Sequence, residues 1–269
     1  MPPDAKVTTA ALRARKGTAE RIAVLTAYDV VFARLADEAG IDVVLVGDSL
    51  GMVVQGEKST LAVTLDEMVY HSRIVSRGVR RAHLVSDLPF MSYQASVEDG
   101  MRAAGRLLKE GRAEAVKLEG GVEAAELVHR LVRAGIPVMG HIGMTPQSVH
   151  QLGGFKVQGR TDGQRAQILA GARAVAEAGA YAIVIEAVPH ALAAEITQAV
   201  SVPTIGIGAG VDCDGQVMVM HDLLGLEPAW KPRFVRRYAE MGKAVGGAFA
   251  AYAADVRAGR FPAPEETYD

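Results

Sequence analysis

Several residues able to do acid–base or metal chemistry sit at one kind of place in this sequence, the end of a short apolar run. Asp48 and Ser49 follow Ile41 to Val46, and Asp87 follows His83 to Ser86. Lys117 and Glu119 close the run that begins at Ala115. His141 follows Ile136 to Met139, and Glu186 follows Tyr181 to Ile185. If these runs are strands of one parallel barrel, the residues just after them share a single site. Carboxylates crowded together repel, so the four acids Asp48, Asp87, Glu119 and Glu186 require a cation or a shared proton. Asp48, Asp87 and Glu119 offer hard oxygen ligands, with no Cys and at most one His nearby, a set that selects a Mg²⁺-like ion over zinc.

Each of these residues also has a plain structural reading. An Asp after a strand is more often a helix cap than a ligand. Asp87, before Leu88-Pro89, suits a turn. Lys117 and Glu119 could form an ion pair, Glu186 could cap the next helix, and His141 could be a satisfied core imidazole. Their common address argues against every one of them being merely structural. Gly206-Ile207-Gly208-Ala209-Gly210 invites a phosphate-binding reading, but no acid closes a second strand about 20 residues on, as a dinucleotide site requires. A tight turn is the simpler account. Cys213, the single cysteine, reads as a small half-buried filler because no His pattern surrounds it.

The elements that must position these residues recur as a loose repeat. A helical segment ends in Gly, a short apolar run follows, and a polar or Gly-rich turn closes it. The copies turn on Gly40, Gly111, Gly135 and Gly179, glycines suited to left-handed helix C-terminal positions. Less regular copies supply Ile22 to Thr26, His83 to Ser86, Thr204 to Ile207 and Val217 to Met220, giving eight strands. Helix signals fill the gaps. Val30 to Ala39 has helical apolar spacing, Ser96 with Asp99 and Thr161 with Gln164 resemble capping boxes, and Pro189 suits a first helical turn. Val122 to Ala134 completes the middle set. Eight strand–helix units predict an α/β fold, a single-domain (β/α)₈ TIM barrel spanning residues 1–269 with a short N-terminal extension and a flexible tail from about 258. Two long connections, Asp48 to Thr64 and Ile142 to about Thr161, fall on the catalytic face, where a lid would lie.

Bulk properties narrow the function. The chain has 269 residues, close to the ~250 typical of one such barrel. Only 5% are aromatic against 49% hydrophobic, which predicts a core of Val, Leu, Ile and Ala suited to strands buried on both faces. A net charge of −2 gives no basic excess for nucleic acid. The densest basic cluster, Arg77 to Arg81, reads as a solvated connection. No secretory signal and no apolar stretch of ~18 residues is present, so a membrane span is not expected and the cytoplasm is the default location.

Further short stretches carry a resemblance. Thr26-Ala27-Tyr28-Asp29, LVGDSLGMVVQG from Leu45, Asp87-Leu88-Pro89-Phe90-Met91, Lys117-Leu118-Glu119-Gly120-Gly121 and GHIGMTPQSVHQLGGFKVQG from Gly140 occur in order. Pro203 to Gly210, Asp214-Gly215-Gln216 and Val219-Met220-His221-Asp222 follow. Together they resemble the ketopantoate hydroxymethyltransferase family over nearly the whole chain. The resemblance implies a (β/α)₈ fold and a homo-oligomer, a decamer in bacterial members. It implies Mg²⁺ around Asp48, Asp87 and Glu119, with the keto acid held by Asp48, Ser49, Asp87 and Lys117 and Glu186 as general base. It also implies 5,10-methylenetetrahydrofolate as cosubstrate and an enolate stabilised by Mg²⁺. Glu57-Lys58 and Val211 to Cys213 depart from the family pattern without touching these residues. Competing readings are a Mg²⁺-dependent aldolase or lyase acting on another 2-oxo acid, and a non-catalytic protein on a decayed barrel. The lyases bring a catalytic Cys on a mobile loop, and Cys213 is not so placed.

Overall fold

Val-, Ile- and Leu-rich runs too short for helices, separated by helices that cap well, leave the backbone one economical solution. In the computed structural model, which describes residues 5–227 and 232–268, eight parallel strands close a barrel in sequence order. They are β1 (Ile22–Thr26), β2 (Val43–Val46), β3 (His83–Asp87), β4 (Ala115–Glu119), β5 (Val138–Gly143), β6 (Ala182–Glu186), β7 (Thr204–Ile207) and β8 (Gly215–Met218). β1 pairs with β8 to complete the ring. The chain falls into two compact units, Met1–Val219, which holds the whole barrel, and Met220–Asp269.

The barrel interior shows the period-2 rule of a strand. Val43, Leu45, Val85, Ala115, Met139, Ala182, Val184 and Ile205 pack into one buried cluster. Asp87, Lys117, Glu119, His141 and Glu186 each continue that parity toward the carboxyl end of the same strand. The residues that fill the barrel and the residues that could do chemistry are therefore successive layers of one column.

Helix ends follow the local sequence. Thr64 with Glu67, and Thr161 with Gln164, form reciprocal capping boxes at the helices Leu65–Val75 and Asp162–Glu177. Ser96 accepts from the Asp99 amide at the start of Val97–Lys109. The Asp29 carboxylate caps the helix Val30–Glu38 by accepting from Val31 and Phe32. Pro189 stands at the cap of His190–Ala199 rather than inside its first turn. Val122–Ala124 is a 3₁₀ turn leading into the helix Ala125–Arg133.

Three expectations need correction. β5 runs on through Gly140-His141-Ile142-Gly143, which had the look of a turn. Gly140 is there for clearance, since a Cβ would lie 2.5 Å from Val175 Cγ1 on the helix outside. β8 lies at Gly215–Met218, earlier than Val217 to Met220, because Gly215 lets the strand approach β1, where a Cβ would stand 2.4 Å from the Ile22 carbonyl. Gly40, Gly135 and Gly179 do take positive φ, but at the second repeat Arg112 adopts it instead (φ 61°), and Gly111 relieves crowding against the Leu107 carbonyl. The basic cluster at Arg77 to Arg81 is partly organised, for buried Asp37 accepts from the amides of Arg80, Arg81 and Ala82. The long connections carry a short helix, Leu50–Val53, and a 3₁₀ turn, Pro146–Ser148. No described helix is long and apolar enough to cross a membrane.

Candidate active site

Register sets the site. Asp87 on β3 is level with Lys117 on β4, and Glu119 on β4 is level with His141 on β5. Asp48 joins them from the turn after β2, its backbone N–H donating to Asp87 Oδ2 at 3.0 Å. Lys117 Nζ lies 2.8 Å from Asp87 Oδ1 and 3.4 Å from His141 Nδ1. His141 Nδ1 stands 3.5 Å from Glu119 Oε1, and its Nε2 stands 3.2 Å from Glu186 Oε2. Asp48, Asp87, Lys117, Glu119 and His141 are all buried, while the Glu186 side chain keeps 15% of its surface. Ser49 is held by its hydroxyl, 2.8 Å from that of Tyr28. Gly47 makes this possible, since a Cβ there would meet Ser49 Oγ at 2.7 Å.

All the singled-out residues therefore meet at one end of the barrel. Plain structural roles survive as well. Lys117 makes an ion pair, with Asp87 rather than Glu119. Cys213 is fully buried, not half-buried, and burial pushes its thiol up.

Electrostatics show a centre with more negative charge than it can hold comfortably. Burial, then the Asp87 and Glu119 carboxylates, push Asp48 up to about 8 against the opposing pull of Lys117 and Gln147. Burial disfavours the Lys117 ammonium, yet Asp87, Asp48 and Glu119 outweigh it and hold Lys117 charged. Burial and Lys117 also work against the His141 imidazolium, and the adjacent Glu119 and Glu186 carboxylates overcome them, raising it to about 9.

The same arrangement tests the fit of a metal. Among the described residues, no three His, Cys, Asp or Glu side chains converge so as to enclose an ion as they stand. The donors are nevertheless of the right kind. Asp87 Oδ1 and Glu119 Oε1 are buried and make no hydrogen bond, although nitrogens of Lys117 and His141 lie close to them. Asp48 is destabilised as an anion by its acidic neighbours. Buried oxygen donors from several mutually repelling carboxylates suit a hard divalent cation.

Sequence reasoning missed the residues that hold the acids in place. Gln147, in the 3₁₀ turn after β5, donates from Nε2 to Asp48 Oδ2 at 2.8 Å and from its backbone to Glu119 Oε2 at 3.0 Å. The Tyr93 hydroxyl meets both Gln147 Oε1 and the Glu119 backbone. Neither ends a strand, which was the signal used to find the others. A cleft of about 1150 Å³ reaches the centre at Glu119, Tyr93 and Gln147, and its wall includes Gln94, Gln158 and Ile168.

Fold and site together define a (β/α)₈-barrel enzyme with an acid-rich centre at the carboxyl ends of its strands. Comparison with known proteins gives the particular lineage. A family model described as ketopantoate hydroxymethyltransferase matches residues 6–264. The 3-methyl-2-oxobutanoate hydroxymethyltransferase of Syntrophotalea carbinolica is 56% identical, covering 94% of this chain and 95% of that protein. The enzyme of the same name from Carboxydothermus hydrogenoformans is 54% identical, over 98% and 95%. Among solved structures, phosphonopyruvate hydrolase aligns with a TM-score of 0.63 at 14% identity, covering 97% of this chain and 91% of that one. A 2,3-dimethylmalate lyase aligns at 0.59 and 17%, over 97% and 91%, and these two likenesses are of fold. The chain belongs to the ketopantoate hydroxymethyltransferase family.

Proposed function

We propose that this enzyme transfers a one-carbon unit from 5,10-methylenetetrahydrofolate to 3-methyl-2-oxobutanoate, with water consumed and 2-dehydropantoate and tetrahydrofolate formed. The observation that carries the reading is the placement of Glu186 at the end of β6, 3.2 Å from His141 and beside the centre formed by Asp48, Asp87, Lys117 and Glu119. In this reading Asp48, Asp87 and Glu119 would hold Mg²⁺, which when bound supplies positive charge to the 2-oxo oxygen. Lys117 places a permanent cation where the substrate carboxylate is to be held, and Asp48, Ser49 and Asp87 complete that cradle. Glu186 accepts the C3 proton, and His141, 3.2 Å away, orients the carboxylate that does so. The resulting carbanion equivalent forms the new C–C bond to the one-carbon unit, whose two C–N bonds to the folate break. Water supplies the hydroxyl oxygen, and the C3 proton and one proton of water pass to the two nitrogens, releasing tetrahydrofolate. The segments after β2 and β5 exclude water from the centre.

A homo-oligomer, a decamer as the family resemblance implies, and a cytoplasmic location belong to the same proposal. A lyase with a cysteine acid is disfavoured because Cys213, the chain's single cysteine, is buried.

A proton NMR time course of 3-methyl-2-oxobutanoate in D₂O tests the chemistry, with and without Mg²⁺ and with and without methylenetetrahydrofolate. The expected result is Mg²⁺-dependent loss of the C3 proton, with 2-dehydropantoate appearing only when the folate is present. Product formed from free formaldehyde but not from the folate would favour the aldolase reading. No exchange and no product in any tube would overturn the substrate assignment.

A further inference from the structure

Gln147 is 6% exposed, and its carboxamide uses every hydrogen-bonding position it has. Nε2 donates to Asp48 Oδ2 at 2.8 Å and to the Leu88 carbonyl at 2.9 Å. Oε1 accepts from the Tyr93 hydroxyl and from Gln94 Nε2, each at 2.8 Å. The Leu88 carbonyl can only accept, so the amide cannot turn over without leaving it unsatisfied. The backbone N–H of the same residue donates to Glu119 Oε2 at 3.0 Å. One residue on the segment after β5 thus grips a carboxylate from the β2 end and another from β4. It also stands in the wall of the cleft, where Asp48 does not.

We propose that Gln147 is a positioning residue for the oxo-acid and cation site, its side chain fixing Asp48 and its backbone fixing Glu119. This rests on the assignment of those two acids made above. A freely rotating Asp48 would have to be ordered each time substrate bound, and the buried network removes that cost in advance. Tyr93 acts through Gln147. Its hydroxyl touches neither carboxylate side chain but anchors Oε1 and accepts from the Glu119 N–H.

The test compares the full-length protein with Gln147→Leu, Gln147→Glu and Tyr93→Phe. The measurements are Mn²⁺ affinity by electron paramagnetic resonance, KM for 3-methyl-2-oxobutanoate, KM for the folate, and Tm. Loss of a group that orients a metal ligand typically costs about 10–100-fold in metal affinity. Gln147→Leu should show that loss together with a higher KM for the oxo acid, while the folate KM stays within about twofold. Gln147→Glu keeps the acceptor toward Tyr93 and Gln94 but turns an oxygen toward Asp48 and Leu88, so it should be no better than Leu. Tyr93→Phe should move the same two constants in the same direction by less, and it carries the test if the Gln147 variants do not fold. Variants that lower Tm but keep Mn²⁺ affinity and oxo-acid KM within about twofold of wild type would overturn the assignment. Wild-type protein that binds neither Mn²⁺ nor the oxo acid would instead overturn the site reading, and this inference with it.

Discussion

Glu186 stands 3.2 Å from His141 Nε2, and among the acids of the set its side chain keeps the most exposure, at the rim of the buried centre. A base must reach a substrate proton, and the rim is where it can do so. Replacing it with the isosteric amide should slow C3 deuterium exchange by about 10²–10⁴-fold, the usual worth of a positioned base, with Mg²⁺ binding retained. Near-normal exchange by Glu186→Gln in the NMR assay would remove Glu186 from that role. Asp48 makes a different prediction, because burial, Asp87 and Glu119 push it up to about 8. A cation displaces a proton there, so Mn²⁺ affinity should fall as pH drops below about 8, by up to about tenfold per unit. The linkage to stability has a definite sign. Asp48 has a folded-state value above the ordinary 3.8, so its contribution is complete below 3.8 and is lost as pH rises through about 8. Added Mg²⁺ should therefore raise Tm more at pH 8.5 than at pH 6. Equal shifts in thermal melts at the two pH values would place Asp48 outside the cation site.

At this scale the sequence is legible where chemistry follows topology. Asp48, Asp87, Lys117, Glu119, His141 and Glu186 could be found because strand ends in a barrel share an address. Gln147 and Tyr93 could not. Their importance comes from hydrogen bonds across 99 and 26 residues of chain, and no local pattern encodes such a distance. Lys117 was visible, but its choice of Asp87 over Glu119 is a matter of barrel register.

Among the elements, β5 shows most clearly what a local reading lacks. Two glycines around His141 resemble a turn, yet each is required by a neighbour on another element. Gly140 makes room for Val175 of the helix Asp162–Glu177, and Gly143, at φ 95°, brings the strand end against the Glu186 carbonyl, where a Cβ would be 2.4 Å away. Gly140→Ala should overpack that contact and cost about 1–3 kcal/mol of stability in denaturant unfolding. Gly143→Ala adds backbone strain and should also displace Glu186, so its exchange rate should fall further than its Tm predicts. A Gly143→Ala variant with normal stability and rate would show that this close approach is not needed. Helix starts were more transparent, because Ser96 and Thr161 announce themselves through residues only three positions away. Thr161→Ala should cost about 1 kcal/mol and leave the chemistry intact.

On the scale of the whole molecule, the barrel was countable because its repeat is carried by apolar runs and glycines, but the second unit has no such repeat. Its helix Met241–Arg257 is rich in Ala and Gly, and none of its residues is buried in the single chain. Phe249 is 70% exposed, Tyr252 59% and Val256 45%, and their spacing puts them along one side of the helix. Apolar side chains in a contiguous row are characteristic of association surfaces. This supports the proposed homo-oligomer independently of the sequence resemblance. Sedimentation should therefore give a species well above the 28.4 kDa of one chain. The double variant Phe249→Glu, Tyr252→Glu should shift it toward smaller species and expose the helix to proteolysis. The barrel should survive that change, since its interior column is complete within Met1–Val219. A wild-type protein that sediments as a monomer at micromolar concentration would refute the assembly and leave those aromatics without a partner of their own kind.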